Sequence, residues 1–230
     1  NAESLLYSKE ERFASGKREE DFVLHSLQQL KSQLLSYHAG ILGEEYVKKS
    51  AVFIPLVEKD DGVHVLFEVR AHTLKQQPGE ICFPGGRIDP EDASPEEAAI
   101  RETSEELGIP SSVIAPITSL DVLVTPFRGI IYPVIGSIPH KNDYPLNQAE
   151  VDHVFTVPID HFISHPPEQY RINVHFEPGA GFPIERIANQ SAYQKSTRQI
   201  TESFYYYQSY VIWGLTAKIL RHVITILKPS

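Results

Sequence analysis

Three glutamates at helical spacing are the residues whose types and positions most directly suggest chemistry. Glu102, Glu105 and Glu106 stand at i, i+3 and i+4, so a helix would carry all three carboxylates on one face. Like charges at these spacings cost about 0.2–0.5 kcal/mol per pair even on an exposed helix, and Arg101 is the one cation beside them. Carboxylate oxygens suit a hard divalent cation. The pattern predicts a Mg²⁺ site, with an ordinary solvated glutamate face as the alternative.

Local signals define the helix that must position these glutamates. Ser94 and Glu97 have the spacing of a capping box, and Pro95 occupies the first helical position. Gly108 follows the last periodic residue and is the expected C-terminal stop. The sequence therefore predicts a helix from Pro95 to about Leu107.

The stretch from Phe83 to Ile109 reads FPGGRIDPEDASPEEAAIRETSEELGI. Its Gly-Gly loop, followed by a capped helix with R-E-x-x-E-E-x-G, resembles the Nudix box, the signature of hydrolases that split a nucleoside diphosphate linked to another moiety. In the general pattern a glutamate follows the glycine after five residues, and Arg-Glu follows after seven more. Here Asp92 follows Gly86 after five residues, and eight residues then precede Arg101. The loop differs from the general box by one extra residue and by an aspartate.

The resemblance implies a metal-assisted hydrolase site in which Mg²⁺ or Mn²⁺ is the cofactor. It implies Glu102 and Glu106 as direct metal ligands, with Glu105 serving a second metal or a bound water, and the carbonyl of Gly86 nearby. Such metals neutralise the pyrophosphate and lower the pKa of the attacking water. Arg101 is expected to orient one of the glutamates through a bidentate contact, with an ordinary surface ion pair as the alternative.

Two residues are candidates for the general base. Members of the family differ in whether a box glutamate or a carboxylate on a remote loop takes this role. Glu105 is the first choice. Glu150 is the second, because it precedes a predicted strand in a loop that could close over the metals; a solvated loop residue is the alternative for this position.

The stretch upstream of the box points to a substrate. From Leu66 it reads LFEVRAHTLKQQPGEICFPGG, which resembles the signature of the coenzyme A diphosphatase branch of the Nudix family. The residues at matching spacings are Arg70, Lys75, Gly79, Ile81, Phe83, Pro84, Gly85 and Gly86. Ala71 and Lys75 replace the branch's more usual Ser and Arg, whereas Asp92 and the extra loop residue are similar to what the branch carries. TPFRG (125–129), the step at 149–151 and WGLTA (213–217) are also similar to it, so the resemblance covers roughly residues 50–225.

The branch resemblance implies hydrolysis of coenzyme A or an acyl derivative to phosphopantetheine and adenosine bisphosphate. Arg70, Lys75 and Arg87 flank the Gly-Gly loop and are the candidates for binding substrate phosphate, although Arg70 could instead be an ion-paired strand end. A Nudix hydrolase of another diphosphate, such as ADP-ribose or NADH, stays open. So does a catalytically silent nucleotide sensor, against which the three clustered carboxylates argue.

The composition of the chain indicates which classes of binding partner are expected. Acidic residues outnumber basic ones by 30 to 21, giving a net charge of −9, which argues against a general nucleic-acid surface. No apolar run approaches the roughly 18–20 residues of a membrane span, and the first residues lack a signal-peptide core. Cys82 is the only cysteine and is predicted to be a buried structural thiol. These features predict a cytoplasmic protein that acts on a small molecule, with neither nucleic acid nor membrane as a partner.

The order of helical and strand-like segments predicts an α+β fold. The resemblance makes this a Nudix-type α/β/α sandwich with a mixed β-sheet over 46–230, preceded by a helical extension over 1–45. Within the extension, Phe22, Val23, Leu27, Leu30, Leu34 and Leu35 predict an amphipathic helix over 19–35. This helix could pack on the core or in a homodimer. The predictions nearer the C-terminus are a long loop over 178–200, one strand over 204–213 and a helix from Gly214 to Leu227.

Overall fold

The computed structural model describes residues 26–126, 129–194 and 196–228. The chain divides into two compact units at Leu42 and Gly43; the predicted boundary at 45/46 stays a prediction. In the first unit, α1 (Leu27–Leu35) begins after Ser26, whose Oγ accepts a hydrogen bond from the backbone N–H of Gln29 at 3.2 Å. The predicted helix is confirmed over this range and is wrong at Ser26, which has an extended backbone (φ −149°, ψ 151°). Residues 19–25, with Phe22 and Val23, lie outside the described residues.

An eight-stranded mixed sheet forms the centre of the second unit. Its strands are β1 (Lys49–Lys59), β2 (Gly62–Arg70), β3 (Ile81–Cys82), β4 (Gly85–Arg87), β5 (Ala115–Ser119), β6 (Leu123–Thr125), β7 (Gly129–Ser137) and β8 (Val151–Pro158). The main path runs β3-β2-β1-β7-β5, while β4 pairs with β1, β6 with β7 and β8 with β2. The pairing of β1 with β7 is parallel, and the other pairs are antiparallel.

Helices cover both faces of this sheet. They are α2 (Pro95–Leu107), α3 (Ile159–Ser164) and α5 (Gly214–Leu227). Adjacent residues of a strand point to opposite faces, so Phe53 packs in the core under α2, whereas Ile54 packs in the core under α3 and α5. The predicted α+β sandwich with a mixed sheet is thereby confirmed, as is the final helix. Among the described residues, no helix combines the length and hydrophobicity that a membrane span requires.

A smaller antiparallel sheet corrects two predictions near the C-terminus. It contains β9 (Glu168–Phe176), β10 (Ser196–Tyr207) and β11 (Tyr210–Ile212). The predicted loop over 178–200 is wrong in its last residues, because 196–200 pair with β9; a helical turn at Ile184–Arg186 and a short helix, α4 (Ser191–Gln194), occupy part of the rest. The single strand predicted over 204–213 is a hairpin, because Gln208 adopts a positive φ of 52° and turns the chain.

The segment over 117–125 is divided between β5 and β6. Both pair with β7, and between them the N–H of Leu120 donates to the carbonyl of Pro133 at 2.8 Å. The Gly-Gly loop also contributes a strand, since β4 pairs with β1. This pairing fixes the loop against the centre of the sheet.

Candidate active site

The helix α2 is capped as the sequence predicts. The Oγ of Ser94 accepts from the N–H of Glu97 at 3.1 Å, while the Glu97 carboxylate accepts from the N–H of Ala93 at 2.6 Å. Gly108 ends the helix with a φ of 62°, a conformation that favours glycine. A Cβ added there would lie 2.0 Å from the carbonyl oxygen of Pro145. The helix therefore ends in close contact with the segment that leads to Glu150.

Two of the three predicted glutamates contact the Gly-Gly loop. Glu106 is 2% exposed, and its Oε2 accepts a hydrogen bond from the N–H of Gly85 at 2.8 Å. A Cβ added to Gly86 would lie 2.3–2.5 Å from the carboxylate atoms of Glu102. The missing side chain at Gly86 therefore leaves a cradle for the Glu102 carboxylate, which explains why the loop needs glycine beside an acidic helix.

Four carboxylates form one electrostatic group, which we call the acidic cluster: Glu68, Glu102, Glu106 and Glu150. Burial raises the pKa of Glu106, and the negative charges of the other three raise it further, while the Gly85 N–H opposes them. Burial likewise raises the pKa of Glu68 and of Glu102, and other members of the cluster add to both shifts. Burial is the main shared cause, and the neighbouring negative charges add to it.

The two candidates for the general base occupy different positions. Glu105 has a side chain 58% exposed and contacts a guanidinium nitrogen of Arg101 at 3.5 Å. It lies at the rim of the acidic cluster rather than within it. Glu150 is exposed on its loop, and its backbone carbonyl accepts from the N–H of Ala71 at 2.8 Å. That bond holds the loop against the end of β2 and brings Glu150 to the cluster.

Arg101 forms the predicted bidentate contact, but with Asp92 rather than with a glutamate. Its Nε and one terminal nitrogen donate to the two oxygens of Asp92 at 2.9 and 3.0 Å, whereas Glu102 receives one hydrogen bond at 2.9 Å. The bond from Arg101 is the main cause of a lowered Asp92 pKa. Arg101 also donates to the backbone carbonyl of Arg87 at 3.1 Å. It therefore connects the loop that carries Asp92, the strand β4 and the carboxylate of Glu102.

The three predicted phosphate-binding cations differ in exposure. Lys75 and Arg87 have exposed side chains, and Arg70 is partly buried at the end of β2. The Nε of Arg70 is buried and has no hydrogen-bond partner among the described residues. Its positive charge acts on Glu68. An ion pair at hydrogen-bond distance, the alternative considered for Arg70, is not formed within this part of the chain.

Two residues of the site were given no role from the sequence. Asp92 supplies the anchor for Arg101, and Glu68 is 1% exposed in the middle of β2. The thiol of Cys82 donates to Oε1 of Glu68 at 3.1 Å. Burial, followed by the charge of Glu68, raises the pKa of this thiol well above its usual value, so the structure agrees with a structural role for Cys82. A glutamate inside the apolar run of β2 was the available signal for Glu68.

The residues present fit a divalent cation. In the described parts of the chain, no three His, Cys, Asp or Glu side chains already converge as a metal site. However, Oε2 of Glu68 is buried without a hydrogen-bond partner there, and the cradle at Gly86 holds the carboxylate of Glu102. Carboxylate oxygens next to a glycine-rich loop are a suitable donor set for Mg²⁺ or Mn²⁺.

A helix-covered mixed sheet with an acidic helix against a Gly-Gly loop is the arrangement expected from the box-like sequence. The family model for the NUDIX domain matches residues 47–178, and the chain belongs to the Nudix family. The predicted membership and the predicted enzyme class, a pyrophosphate-bond hydrolase, are thereby confirmed. Nudix hydrolases generally require divalent metal ions.

The chain is also similar to two curated relatives and to one solved structure. The peroxisomal coenzyme A diphosphatase NUDT7 of Mus musculus is 36% identical over 123 residues, 54% of this chain and 52% of the mouse protein. The chain thus matches about half the length of that relative. The uncharacterized Nudix hydrolase NudL of Enterobacter sp. (strain 638) is 33% identical over 178 residues, 76% of this chain and 81% of that protein. A crystal structure of a C. elegans Ap4A hydrolase binary complex aligns with a TM-score of 0.41 and 18% identity, covering 50% of this chain and 83% of that one.

Proposed function

We propose that the chain hydrolyses the pyrophosphate bond of coenzyme A or of an acyl-coenzyme A, with Mg²⁺ or Mn²⁺ as the cofactor. The products are phosphopantetheine and adenosine bisphosphate. The observation that carries the hydrolytic part is the contact of the Glu102 and Glu106 carboxylates with the Gly-Gly loop. The substrate part is supported by the pattern upstream of the box and by the similarity to the mouse coenzyme A diphosphatase.

Glu102, Glu106 and the carbonyl of Gly86 are the groups proposed to hold the metal, with Glu105 at a second metal or a bound water. A bound cation supplies charge neutralisation of the pyrophosphate and a lowered pKa for the attacking water. The Gly85 N–H fixes the Glu106 carboxylate in place, and one hydrogen bond from Arg101 orients Glu102. Both ligands are therefore held by groups that do not react.

The general base is proposed to be Glu105 or Glu150. Glu105 is exposed beside Arg101, so its carboxylate is accessible to substrate and to the attacking water. Glu150 is supported by its charge, which acts on the three buried or partly buried carboxylates of the acidic cluster. Either carboxylate accepts the proton of the attacking water if it lies within hydrogen-bond reach of that water.

Coenzyme A differs from other nucleoside diphosphates by a phosphate on its ribose, which needs a cation of its own. Arg70, Lys75 and Arg87 are the proposed phosphate-binding residues. Lys75 and Arg87 are exposed and therefore accessible to a substrate, and the partly buried Arg70 has a guanidinium nitrogen without a partner in the described chain. The protein has a net charge of −9, so local cations beside the loop are needed to attract an anionic substrate.

A turnover panel with Mg²⁺ or Mn²⁺ tests this proposal. The substrates are coenzyme A, dephospho-coenzyme A, ADP-ribose, NADH and a nucleoside triphosphate, each tested with the unaltered chain and with Glu106→Gln. We expect coenzyme A to be cleaved well above dephospho-coenzyme A and the substitution to abolish turnover. Preference for ADP-ribose or NADH keeps the hydrolytic site and rejects the coenzyme A assignment. Nucleotide binding without turnover of any substrate supports a sensor.

The cytoplasmic location and the homodimer are also proposals. The mouse relative is named peroxisomal, so a tagged chain in its own cells should be imaged against markers of both compartments. Four leucines of α1 are exposed within the described residues: Leu27, Leu30, Leu34 and Leu35. Light scattering of the chain with and without residues 1–42 tests whether this helix holds a dimer together.

A further inference from the structure

Glu68 is a buried carboxylate whose charge is only partly satisfied. It is 1% exposed in the middle of β2, and its Oε1 accepts the thiol hydrogen bond from Cys82. Its Oε2 is buried with no hydrogen-bond partner among the described residues. Burying a polar atom without a partner costs about 1–3 kcal/mol, and more for a charged group. A glutamate with only a structural role would therefore lower the stability of the folded chain at this position.

The strand pairing places Glu68 on the sheet side of the same loop that α2 approaches. Residue 68 is the partner of Cys82 in the β2–β3 pair. The chain then runs from Cys82 into the Gly-Gly loop, where the N–H of Gly85 donates to Glu106. Glu68 and Glu106 therefore approach the beginning of this loop from two different elements.

No side-chain cation in the described chain forms an ion pair with Oε2 of Glu68. Arg70 lies two residues further along β2, and its charge acts on Glu68. Nevertheless Nε of Arg70 and Oε2 of Glu68 are both without hydrogen-bond partners within this part of the chain, so the two do not form an ion pair through these atoms. A buried carboxyl without an ion-pair partner is neutralised by a proton or coordinates a metal. A cation shared with the neighbouring glutamates is the solution that offsets the negative charge of all of them.

We propose that Glu68 is a further carboxylate ligand of the metal site, supplied by the sheet opposite the ligands on α2. This inference rests on the proposed metal site and extends it beyond the residues of the box and of the upstream pattern. The expected ligand is a hard divalent cation with oxygen ligands, Mg²⁺ or Mn²⁺. Glu68 would then hold the cation together with Glu106, and Cys82 would orient Glu68 through its other oxygen.

Manganese binding to the full chain tests this without relying on activity. Free Mn²⁺ is followed by electron paramagnetic resonance during titration of four proteins: the unaltered chain, Glu68→Gln, Glu106→Gln and Glu58→Gln. Glu58 is the matched control, because it is an exposed glutamate on β1. Loss of metal affinity by about 10-fold or more is expected for Glu68→Gln, as for groups that support a metal site. Glu58→Gln should bind like the unaltered chain.

The outcomes separate this inference from the proposed function. Unchanged affinity in Glu68→Gln, with affinity lost in Glu106→Gln, overturns the role of Glu68 and leaves the proposed site in place. No Mn²⁺ binding by the unaltered chain overturns both. If circular dichroism shows that Glu68→Gln does not fold, Glu68→Asp decides instead. The aspartate side chain is shorter by one methylene, so its carboxylate is withdrawn from the metal and the Mn²⁺ affinity should fall. An unchanged affinity rejects the proposal.

Discussion

The guanidinium of Arg101 holds the carboxylate of Asp92 through two parallel hydrogen bonds of 2.9 and 3.0 Å. The Asp92 side chain is 4% exposed, and Arg101 is left with one hydrogen bond to Glu102. Planar bidentate pairs of this kind fix geometry as well as charge. Asp92 therefore determines where Arg101 lies, and Arg101 in turn positions the carboxylate of Glu102.

The substitution Asp92→Asn should lower both stability and turnover. Because Arg101 lowers the pKa of Asp92, the charged form stabilises the folded chain above the ordinary aspartate pKa of about 3.9, and this contribution is lost as the pH falls through the lowered value. Urea unfolding should show a stability deficit that is large near pH 7 and shrinks below about pH 4. We expect kcat to fall about 10-fold, since Arg101 is released from its position.

The neighbouring substitution Glu91→Gln is the control for Asp92, because Glu91 is exposed in the same loop. It should leave the unfolding curve and kcat unchanged. A deficit in Asp92→Asn that stays constant from about pH 7 to about pH 3 would contradict the ion-pair explanation.

Adding a methyl group to the two loop glycines should have different effects: at Gly86 it should lower activity, and at Gly85 it should lower stability. A Cβ on Gly86 meets only the end of the Glu102 side chain among its nearest contacts, whereas a Cβ on Gly85 lies 2.3 Å from the backbone oxygen of Ala51. Gly86→Ala should therefore keep its melting temperature and lose about 100-fold in kcat/KM, because the displaced carboxylate no longer holds its geometry. Gly85→Ala should be destabilised by about 1–3 kcal/mol. Calorimetry and steady-state kinetics on both variants check this, and equal thermal destabilisation of the two would contradict it.

Removal of either helix carboxylate at the loop should abolish most of the activity. Glu102→Gln and Glu106→Gln keep the side-chain shape but remove a negative oxygen donor, so we expect kcat to fall about 100-fold or more for each. Excess Mn²⁺ should restore part of the activity if the loss is one of metal affinity. Hydrolysis of the preferred substrate over a metal titration is the measurement. Full activity of Glu106→Gln would show that the cluster is not the reacting site.

A comparison of Glu105→Gln with Glu150→Gln should identify the general base. The variant that lacks the base should lose about 10²–10⁴-fold in kcat and lose the acidic limb of the pH–rate profile. The other variant should keep that limb. Retention of the limb in both variants would reject both candidates.

The sequence predicted those parts of the site that depend on local signals. Ser94, Glu97 and Gly108 define α2 through contacts within a few residues, and the spacing of Glu102 and Glu106 follows from the helix itself. The turn at Gln208 was missed because it contains no glycine, proline or asparagine to mark it in an aromatic run. Local rules fail where the conformation is imposed from outside the segment.

Glu68 and Asp92 were given no role because their partners lie on other elements of the fold. Glu68 becomes part of the acidic cluster only when β2 pairs with β3 and the helix residue Glu106 reaches the loop. Asp92 acquires its role from Arg101 across the loop and the first turns of α2. The sequence shows both residues, but their side-chain contacts are formed only in the folded chain. Similarly, the mostly polar segment 196–200 forms a strand because β9 provides the pairing.

The parallel pairing of β1 with β7 has a consequence for the order of folding. Lys49 is paired with Ile130, and the whole acidic helix lies between these two residues in the chain. Pairings of such large sequence separation form late and slow the folding of a domain. The strand β4, which carries both loop glycines, pairs with β1, so the loop and the α2 carboxylates reach their final positions only in a chain with an assembled sheet. A partly folded chain is therefore expected not to bind the metal, and metal binding can serve as a readout for completed folding.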